Sequence, residues 1–273
     1  MKKKSLGIIL LLIFLTGIGI LFYPTISNYY NSKVQSVAIT NYDKMVENID
    51  YTPYLEDAYE YNKKLLKLDY PLVQYKEISG YSKLLNINNN GMIGYISIDK
   101  IKVELPIYHG TNNAVLNVAV GHFKGSSLPV GGESTHSILS AHRGLPSAKL
   151  FTNLNRLEIG DTFEIKVLGK TLTYQVDNIV IIEPTDTSDL EIVSGKDYVT
   201  LLTCTPYGIN SHRLLVRGIR TTTVEKKELI VTSEAYKIDK LIVTLVIAIP
   251  ILLILTMYIM FKPVKKKNEE EDV

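Results

Sequence analysis

Residues 163 to 182 read FEIKVLGKTLTYQVDNIVII, and this stretch decides the fold. Phe163, Ile165 and Val167 alternate with charged residues, as they do in a strand that buries one face. The glycine–lysine pair at 169–170 predicts a turn, and the alternation then resumes. The stretch therefore predicts a β-hairpin whose two strands bury one face each.

Short β-prone runs separated by turn residues continue on both sides of this hairpin. Six to eight strands of this kind, without a regular alternation of strands and helices, predict a closed or nearly closed β-barrel. We therefore expect a mostly β fold, with the barrel over residues 92–222. The runs outside the hairpin are MIGYISI (92–98), KVELPIYH (102–109), DYVTLLTC (197–204) and RLLVRGIR (213–220).

The segment before the barrel, residues 24–91, has a different pattern. Apolar residues at spacings of three and four predict one or two amphipathic helices, broken at Pro53 and capped by Asp50 or Thr52. The pattern fades in LDYPLVQYKEISGYSKLLNINNNG, residues 68–91, where proline, glycine and asparagine favour a loop. A connection of this length indicates either a linker or a functional lid.

Both ends of the chain are apolar and flanked by lysines. Residues 5–22 and 241–261 carry no charge, and each stretch is close to the ~20 residues that cross a bilayer. Because lysine flanks tend to stay in the cytoplasm, we expect both termini inside and the barrel outside the cell membrane. A cleaved signal peptide is the alternative at the N-terminus. The expected order is an anchor or signal-anchor (1–23), the helical region (24–91), the barrel (92–222), a juxtamembrane linker (223–240), a transmembrane helix (241–261) and a cytoplasmic tail (262–273).

The only cysteine, Cys204, ends a strand-like run and is followed by Pro206 and Gly208. An exterior domain with one cysteine has no internal disulfide, so the thiol is a reactive group, pairs with another molecule or fills the core. The net charge of +2 suggests no nucleic-acid surface. A zinc site would need closely spaced cysteine or histidine pairs, which the sequence lacks, so no metal or cofactor is expected.

A nucleophilic thiol needs a proton partner, and histidine is the usual one. Of the five histidines, His142 shares the setting of Cys204, because a strand-like run ends at HRGLP and the chain then turns away. Arg213 follows Cys204 by nine residues and offers fixed donors for a substrate oxygen. Arg217, on the same face of the same strand, is the rival for that role.

Three motifs resemble those of the sortases, the cysteine transpeptidases of Gram-positive bacteria. They are TLLTC (200–204), INSHRLLVRG (209–218) and LSAHRGLPSAKLF (139–151). The longer stretch GHFKGSSLPVGGESTHSILSAHRGLPSAKLFTNLNRLEIGD (121–161) is similar to class C, the pilin-polymerising sortases. The resemblance covers residues 94–220 and implies an eight-stranded barrel, with N-terminal helices, a candidate lid and a transmembrane helix at each end of the chain.

The resemblance also implies the catalytic roles. Cys204 is the nucleophile, His142 is the general acid and base, and Arg213 positions the substrate or stabilises the oxyanion, while His122 stays outside this triad. The expected reaction cleaves an LPxTG-like sorting signal between threonine and glycine, with a thioester intermediate. Pilin subunits with C-terminal sorting signals are the expected partners and a pilin lysine the acceptor. A sortase that uses a cell-wall amine and a non-catalytic surface-binding barrel are the alternatives.

Class C sortases usually cover the site with a lid that carries Asp-Pro and an aromatic residue. This chain has KLDYPL at 67–72, so Asp69, Tyr70 and Pro71 stand in a changed order. One reading makes this a lid, with Tyr70 over the cleft and Asp69 reaching Arg213. The other reading makes it an ordinary turn.

Overall fold

The computed structural model describes residues 2–221, 248–252 and 254. The chain divides into two compact units, one of residues 1–18 and 225–273 and the other of residues 19–224. The predicted linker (223–240) and tail (262–273) lie outside the described residues. So does most of the predicted C-terminal span (241–261), of which residues 248–252 and 254 are helical.

The N-terminal region is more regular than its sequence predicts. Helix α1, Lys2–Val46, continues through Pro24, so no break separates the predicted anchor from the helical region. Helix α2, Thr52–Leu65, has Pro53 in its first turn, where a missing N–H costs nothing. The predicted break between two helices is confirmed: it covers residues 47–51, and Pro53 lies just after it, in the first turn of the second helix. Asp50 Oδ1 accepts a hydrogen bond from the Thr52 N–H (3.0 Å).

Within the described residues, one helix is long and apolar enough to cross a membrane. An 18-residue window in the segment Gly7–Val46 has a mean hydropathy of 2.3. A signal sequence near an N-terminus has the same composition, so this helix is compatible with both an anchor and a signal sequence.

Eight strands form the barrel that the hairpin pattern predicts. They close in the order β1-β2-β3-β4-β7-β8-β6-β5, which confirms the predicted barrel. Leu168 and Gly169, both with positive φ (44° and 73°), connect β5 to β6, so the tight turn lies one residue earlier than predicted. The strands are β1 Met92–Ile98, β2 Val103–His109, β3 Val120–His122, β4 Thr135–Ser140, β5 Thr162–Val167, β6 Lys170–Ile182, β7 Asp197–Thr205 and β8 His212–Arg220.

The barrel is mixed, with β2–β3 and β4–β7 as its parallel pairs. Parallel strands need a long crossover connection, and the chain between β4 and β7 contains the β5–β6 hairpin. As a result, the carboxyl ends of β4 and β7 lie at the same edge of the sheet. The polar residues that follow those ends meet there.

The two faces of the strands β4, β7, β8 and β6 bury different clusters. Leu139, Leu201 and Val216 are fully buried in the main core inside the barrel. Because side chains alternate across a strand, their neighbours point to the opposite, outer face. Three residues on this outer face form a second buried cluster with Leu190, which precedes β7. We call this cluster the outer floor, and its members are Ile138, Ile182, Leu190 and Leu215.

The connection between α2 and β1 is packed rather than free. Tyr81 and Leu85 in this connection are buried in the main core. Gly125 in the β3–β4 loop shows how close the contact is, since a Cβ there would lie 2.8 Å from the Pro71 carbonyl oxygen. The connection is therefore part of the domain and not a flexible linker. Its helical turns are α3 (Pro71–Gln74) and two 3-10 turns, Tyr75–Glu77 and Tyr81–Lys83, and a further helix, α4 (Asn113–Leu116), follows β2.

Candidate active site

Sheet register brings the three predicted catalytic residues into one row. Cys204 on β7 lies directly opposite Arg213 on β8. On the other side, the parallel ladder between β4 and β7 ends with Ser140 opposite Leu202. His142 and Cys204 each stand two residues further along, so the register places them level with each other. Directly opposed residues lie about 5 Å apart at Cα, so the row spans three adjacent strand ends.

Hydrogen bonds on both sides of His142 hold its strand end against the end of β7. The Ala141 N–H donates to the Leu202 carbonyl (3.2 Å), and Thr203 Oγ1 donates to the Ala141 carbonyl (2.8 Å). Just beyond His142, Arg143 Nη1 donates to Thr205 Oγ1 (3.1 Å). The residues next to His142 are therefore tied to the residues around Cys204. The histidine and the thiol consequently belong to one braced unit.

The exposure of Cys204 argues against the core-filling alternative. Thr203 and Thr205, its neighbours along β7, are 1% and 7% exposed, whereas Cys204 is half-buried. Neither the Cys204 thiol nor the His142 ring forms a hydrogen bond to another of the residues 2–221. Both groups are therefore free to interact with a substrate.

Arg213 lies at the start of β8, with its charge unpaired by any carboxylate in the described part of the chain. Its Nη1 donates to the exposed carbonyls of Asn210 (3.2 Å) and His212 (3.1 Å) in the β7–β8 loop. A guanidinium has five N–H donors, so most of them remain available to a substrate oxygen. The position directly across from the thiol suits an oxyanion-stabilising role.

Arg217 is held by a different set of contacts. Its guanidinium donates from Nε (3.1 Å) and Nη2 (2.8 Å) to the two carboxylate oxygens of Asp177, and it lies 4.3 Å from the ring centre of Tyr198. The hydrogen bond to Asp177 raises the pKa of Arg217. Both ends of its guanidinium fork are therefore occupied by Asp177, unlike those of Arg213.

His122 is fully buried and fully hydrogen-bonded. Its Nε2 donates to the Ser127 carbonyl (2.8 Å), so its Nδ1 accepts from the Tyr81 hydroxyl (2.8 Å). Burial lowers the pKa of His122 to about 4, which keeps the ring neutral at physiological pH. These contacts give His122 a structural role outside the candidate triad.

Two further histidines are also held inside the protein. His136 lies between the Glu191 carbonyl (2.8 Å from Nδ1) and Thr200 Oγ1 (2.7 Å from Nε2). His109 Nδ1 lies 3.0 Å from the Gly91 carbonyl oxygen. Burial lowers the pKa of both rings. Neither histidine is available as the proton partner of Cys204.

An apolar surface extends from the catalytic row along the outer face of the sheet. Ile182 lies opposite Arg213, and Leu215 lies opposite Leu202, so the outer floor begins next to the row. Leu72 from the α2–β1 connection and Phe123 from the β3–β4 loop pack against this floor. The polar row therefore adjoins an apolar cluster that is buried in this conformation, with Leu72 and Phe123 among the residues packed on it.

The structure places Asp69 and Tyr70 at a cavity of about 230 Å³ and not in the catalytic row. Tyr70 is 71% exposed, and Asp69 forms no ion pair with Arg213 within residues 2–221. The expected contact between Asp69 and Arg213 is thus not made in this conformation, because Arg213 is turned onto its own loop. The cavity is lined by Leu190 of the outer floor and by Leu72, which packs on that floor. Its other lining residues include Asp69, Tyr70, Gly125 and His136.

The sequence patterns missed the side chains that brace the site. Arg143 directly follows His142, and Thr205 directly follows Cys204, yet neither stands out by residue type. Only the parallel pairing of β4 with β7 shows that they meet. Within residues 2–221, no three histidine, cysteine, aspartate or glutamate side chains are grouped as a metal site would require.

Comparisons with known proteins match this geometry. Residues 96–221 match the sortase domain family. Sortase D of Bacillus subtilis (strain 168) is 33% identical over 132 residues, which are 47% of this chain and 64% of that protein, so the chain spans slightly less than two thirds of this relative. The crystal structure of sortase C1 from Streptococcus agalactiae is 48% identical, with a TM-score of 0.61 over 67% of this chain and 97% of that one.

A second similar structure is that of a lid mutant of the Streptococcus agalactiae sortase C1. It is 46% identical, with a TM-score of 0.63 over 70% of this chain and 99% of that one. The chain therefore belongs to the sortase family. Within that family, its similarity to the sortase C1 structures identifies it as a class C sortase.

Proposed function

We propose that this sortase is a cysteine transpeptidase that polymerises pilin subunits at the cell surface. The observation that carries the proposal is the row of His142, Cys204 and Arg213 across three adjacent strand ends. The row supplies a nucleophile, a proton carrier and an oxyanion donor, which are the groups that acyl transfer needs. The similar sortase C1 structures support the pilin substrate class.

The first half of the proposed reaction cleaves the sorting signal. The thiolate of Cys204 attacks the threonine carbonyl carbon of an LPxTG-like sequence, and Arg213 donates hydrogen bonds to the oxygen that becomes negative. As the tetrahedral intermediate collapses, the carbon–nitrogen bond to glycine breaks. His142 gives its proton to the departing amine. The product is a thioester between Cys204 and the threonine.

The second half transfers the acyl group to a pilin lysine. The neutral lysine amine attacks the thioester carbonyl, and His142 takes the proton that the new amide loses. The carbon–sulfur bond breaks and the thiolate returns to Cys204. The new isopeptide bond joins two subunits, and the protons balance over the two halves.

The outer floor is an argument for a peptide substrate of this kind. Leu215 and Ile182 are apolar and lie next to the candidate row, and a movement of Leu72 away from the outer floor would open this cluster to a peptide. The leucine and proline of an LPxTG-like signal are apolar, and their burial there would fix the threonine carbonyl at Cys204. The outer floor is therefore the proposed site for the first residues of the signal.

A pilin without its acceptor lysine tests the proposed acceptor. With the lysine replaced by arginine, we expect cleavage of the sorting signal and the thioester to persist while pilin polymer disappears. Mass spectrometry of the acyl-enzyme and gel analysis of the polymer measure the two halves separately. Polymer that still forms would argue against this lysine as the acceptor, because another amine of the subunit would then join the chain.

We also propose that the chain is anchored in the cell membrane with both termini in the cytoplasm and the barrel outside. The apolar segment of α1 and its preceding lysines support the N-terminal anchor. The lysines after residues 241–261 support the second crossing.

The segment around Asp69 and Tyr70 is the proposed lid. A similar structure is that of a lid mutant of the Streptococcus agalactiae sortase C1, and in this chain Leu72 packs on the outer floor next to the cavity. A segment held there would compete with a sorting signal for the same apolar surface. The lid would therefore lower the fraction of enzyme that is open to substrate.

Replacing Asp69 and Tyr70 together with alanine tests the lid. We expect the alkylation rate of Cys204 and the hydrolysis of a sorting-signal peptide to rise by about threefold or more, because the open fraction increases. Hydrogen exchange over residues 60–90 should rise as well. Ile159→Ala is the matched control, since Ile159 is an exposed apolar residue (63%) outside this segment. Unchanged protection and unchanged hydrolysis in the double variant would leave LDYP as an ordinary turn.

A further inference from the structure

The chain that follows His142 forms a closed loop. The Phe151 N–H donates to the His142 carbonyl (3.1 Å), so the two ends of residues 142–151 are tied together. We call this segment the histidine loop. Phe151 is fully buried and Ala148 is 3% exposed, which anchors one side of the loop in the core. The position of His142 therefore depends on how this loop is held.

Helix α1 holds the outer bend of the histidine loop through two amide side chains. Asn31 Nδ2 donates to the Ser147 carbonyl (2.9 Å), and Asn28 Oδ1 accepts from the Lys149 N–H (2.9 Å). The two contacts flank the buried Ala148 on both sides. Because the histidine loop contains no strand or helix, these two side chains satisfy backbone groups that regular structure would otherwise satisfy.

These asparagines belong to a continuous stripe along α1. Residues three and four apart share a helix face, and this face continues through Gln35 to the buried residues Ile39 and Tyr42. The apolar end of the stripe packs in the core, as expected for a helix on a barrel. Its other end consists of amides, which pack less well but can pair with loop backbone. The change in chemistry occurs where α1 meets the histidine loop.

We propose that Asn28 and Asn31 are positioning residues that hold the histidine loop, and through it His142, in line with Cys204. This inference rests on the proposed role of His142 as the proton carrier. It makes the part of α1 that follows the uncharged residues 5–22 a component of the catalytic domain, in addition to any anchoring role.

The test uses the full-length chain with both asparagines replaced by alanine. Because small displacements of a catalytic group are costly, we expect kcat for cleavage of a sorting-signal peptide to fall about 10-fold or more, with KM changed less than about twofold. Hydrogen exchange within residues 142–151 should increase. Gln35→Ala is the matched control: Gln35 Nε2 donates to the Val118 carbonyl (2.6 Å), a bond of the same type outside the histidine loop. This variant should keep its kcat.

A pair of single substitutions separates positioning from general stability. Asn28→Asp keeps the oxygen that accepts from Lys149, so it should retain activity. Asn31→Asp loses the donor to Ser147 and brings a carboxylate near that carbonyl, so it should lose activity. Thermal unfolding of each variant should show that both are folded at the assay temperature.

The positioning inference fails if the double alanine variant loses no more kcat than Gln35→Ala, or if Asn28→Asp and Asn31→Asp behave alike. His142→Ala, measured alongside, distinguishes this failure from failure of the proposed function. An inactive His142→Ala enzyme with a fully active double variant would overturn only the role of the asparagines. A fully active His142→Ala enzyme would overturn the proposed mechanism itself.

Discussion

Replacing Cys204 with alanine is expected to abolish cleavage of a sorting-signal peptide, with a fall in kcat of at least about 10⁴-fold. The thiolate forms the bond to the substrate, so no other group in the row can replace it. Cleavage measured by liquid chromatography, together with mass spectrometry of the trapped thioester, gives the result directly. Because this is the only cysteine of the chain, no second thiol can mask the loss.

The same variant should remain folded. Cys204 is half-buried and its thiol forms no hydrogen bond to another of the residues 2–221, so its removal leaves little unsatisfied. We expect a melting temperature within about 2 °C of the parent. A folded Cys204→Ala protein that still cleaves the peptide would contradict the proposed nucleophile. A Cys204→Ala protein that cleaves no peptide but keeps its function at the cell surface would favour the non-catalytic surface-binding barrel.

The fold was predictable where local sequence decides it. Alternation around Phe163 specifies a strand with one buried face, and the turn residue Gly169 specifies its end. Pro53 shows the limit of this reasoning, because the proline marks the break between two helices but not the exact bounds of that break. The break covers residues 47–51, and Pro53 itself lies in the first turn of α2.

The residues of the candidate catalytic row could be selected from the sequence, but their geometry could not. Cys204, His142 and Arg213 could be selected from strand ends, turns and family motifs, because these signals are local. Their alignment depends on the parallel pairing of β4 with β7, which joins residues 62 positions apart. The register of a non-local pair depends on the whole barrel, so the bracing of the site could be seen only in the structure.

The helical region shows a third limit. Asn28 and Asn31 read as polar positions on an amphipathic helix, and such positions usually face water. Their partners are backbone groups of Ser147 and Lys149, which carry no sequence signal for this contact. The role of α1 at the site therefore depends on tertiary packing and not on its own pattern.

Replacing Arg213 with lysine is expected to lower kcat for peptide cleavage by about 10²- to 10³-fold, with a smaller effect on KM. Lysine keeps the positive charge but loses the planar fork that can hold the oxyanion with two donors. Within residues 2–221, Arg213 donates only to exposed carbonyls of its own loop, so the substitution should cost little stability. Steady-state kinetics and thermal unfolding measure the two effects on the same sample.

Arg217→Lys is the matched control, because Arg217 lies on the same strand and the same face. Its guanidinium binds both carboxylate oxygens of Asp177 and stacks on Tyr198, so the substitution should lower the free energy of unfolding by about 1–2 kcal/mol. The kcat of the folded fraction should stay within about threefold of the parent, since this residue does not reach the row. If the two variants exchanged these effects, the oxyanion role would belong to Arg217, and the direct opposition of Arg213 to Cys204 would have no catalytic meaning.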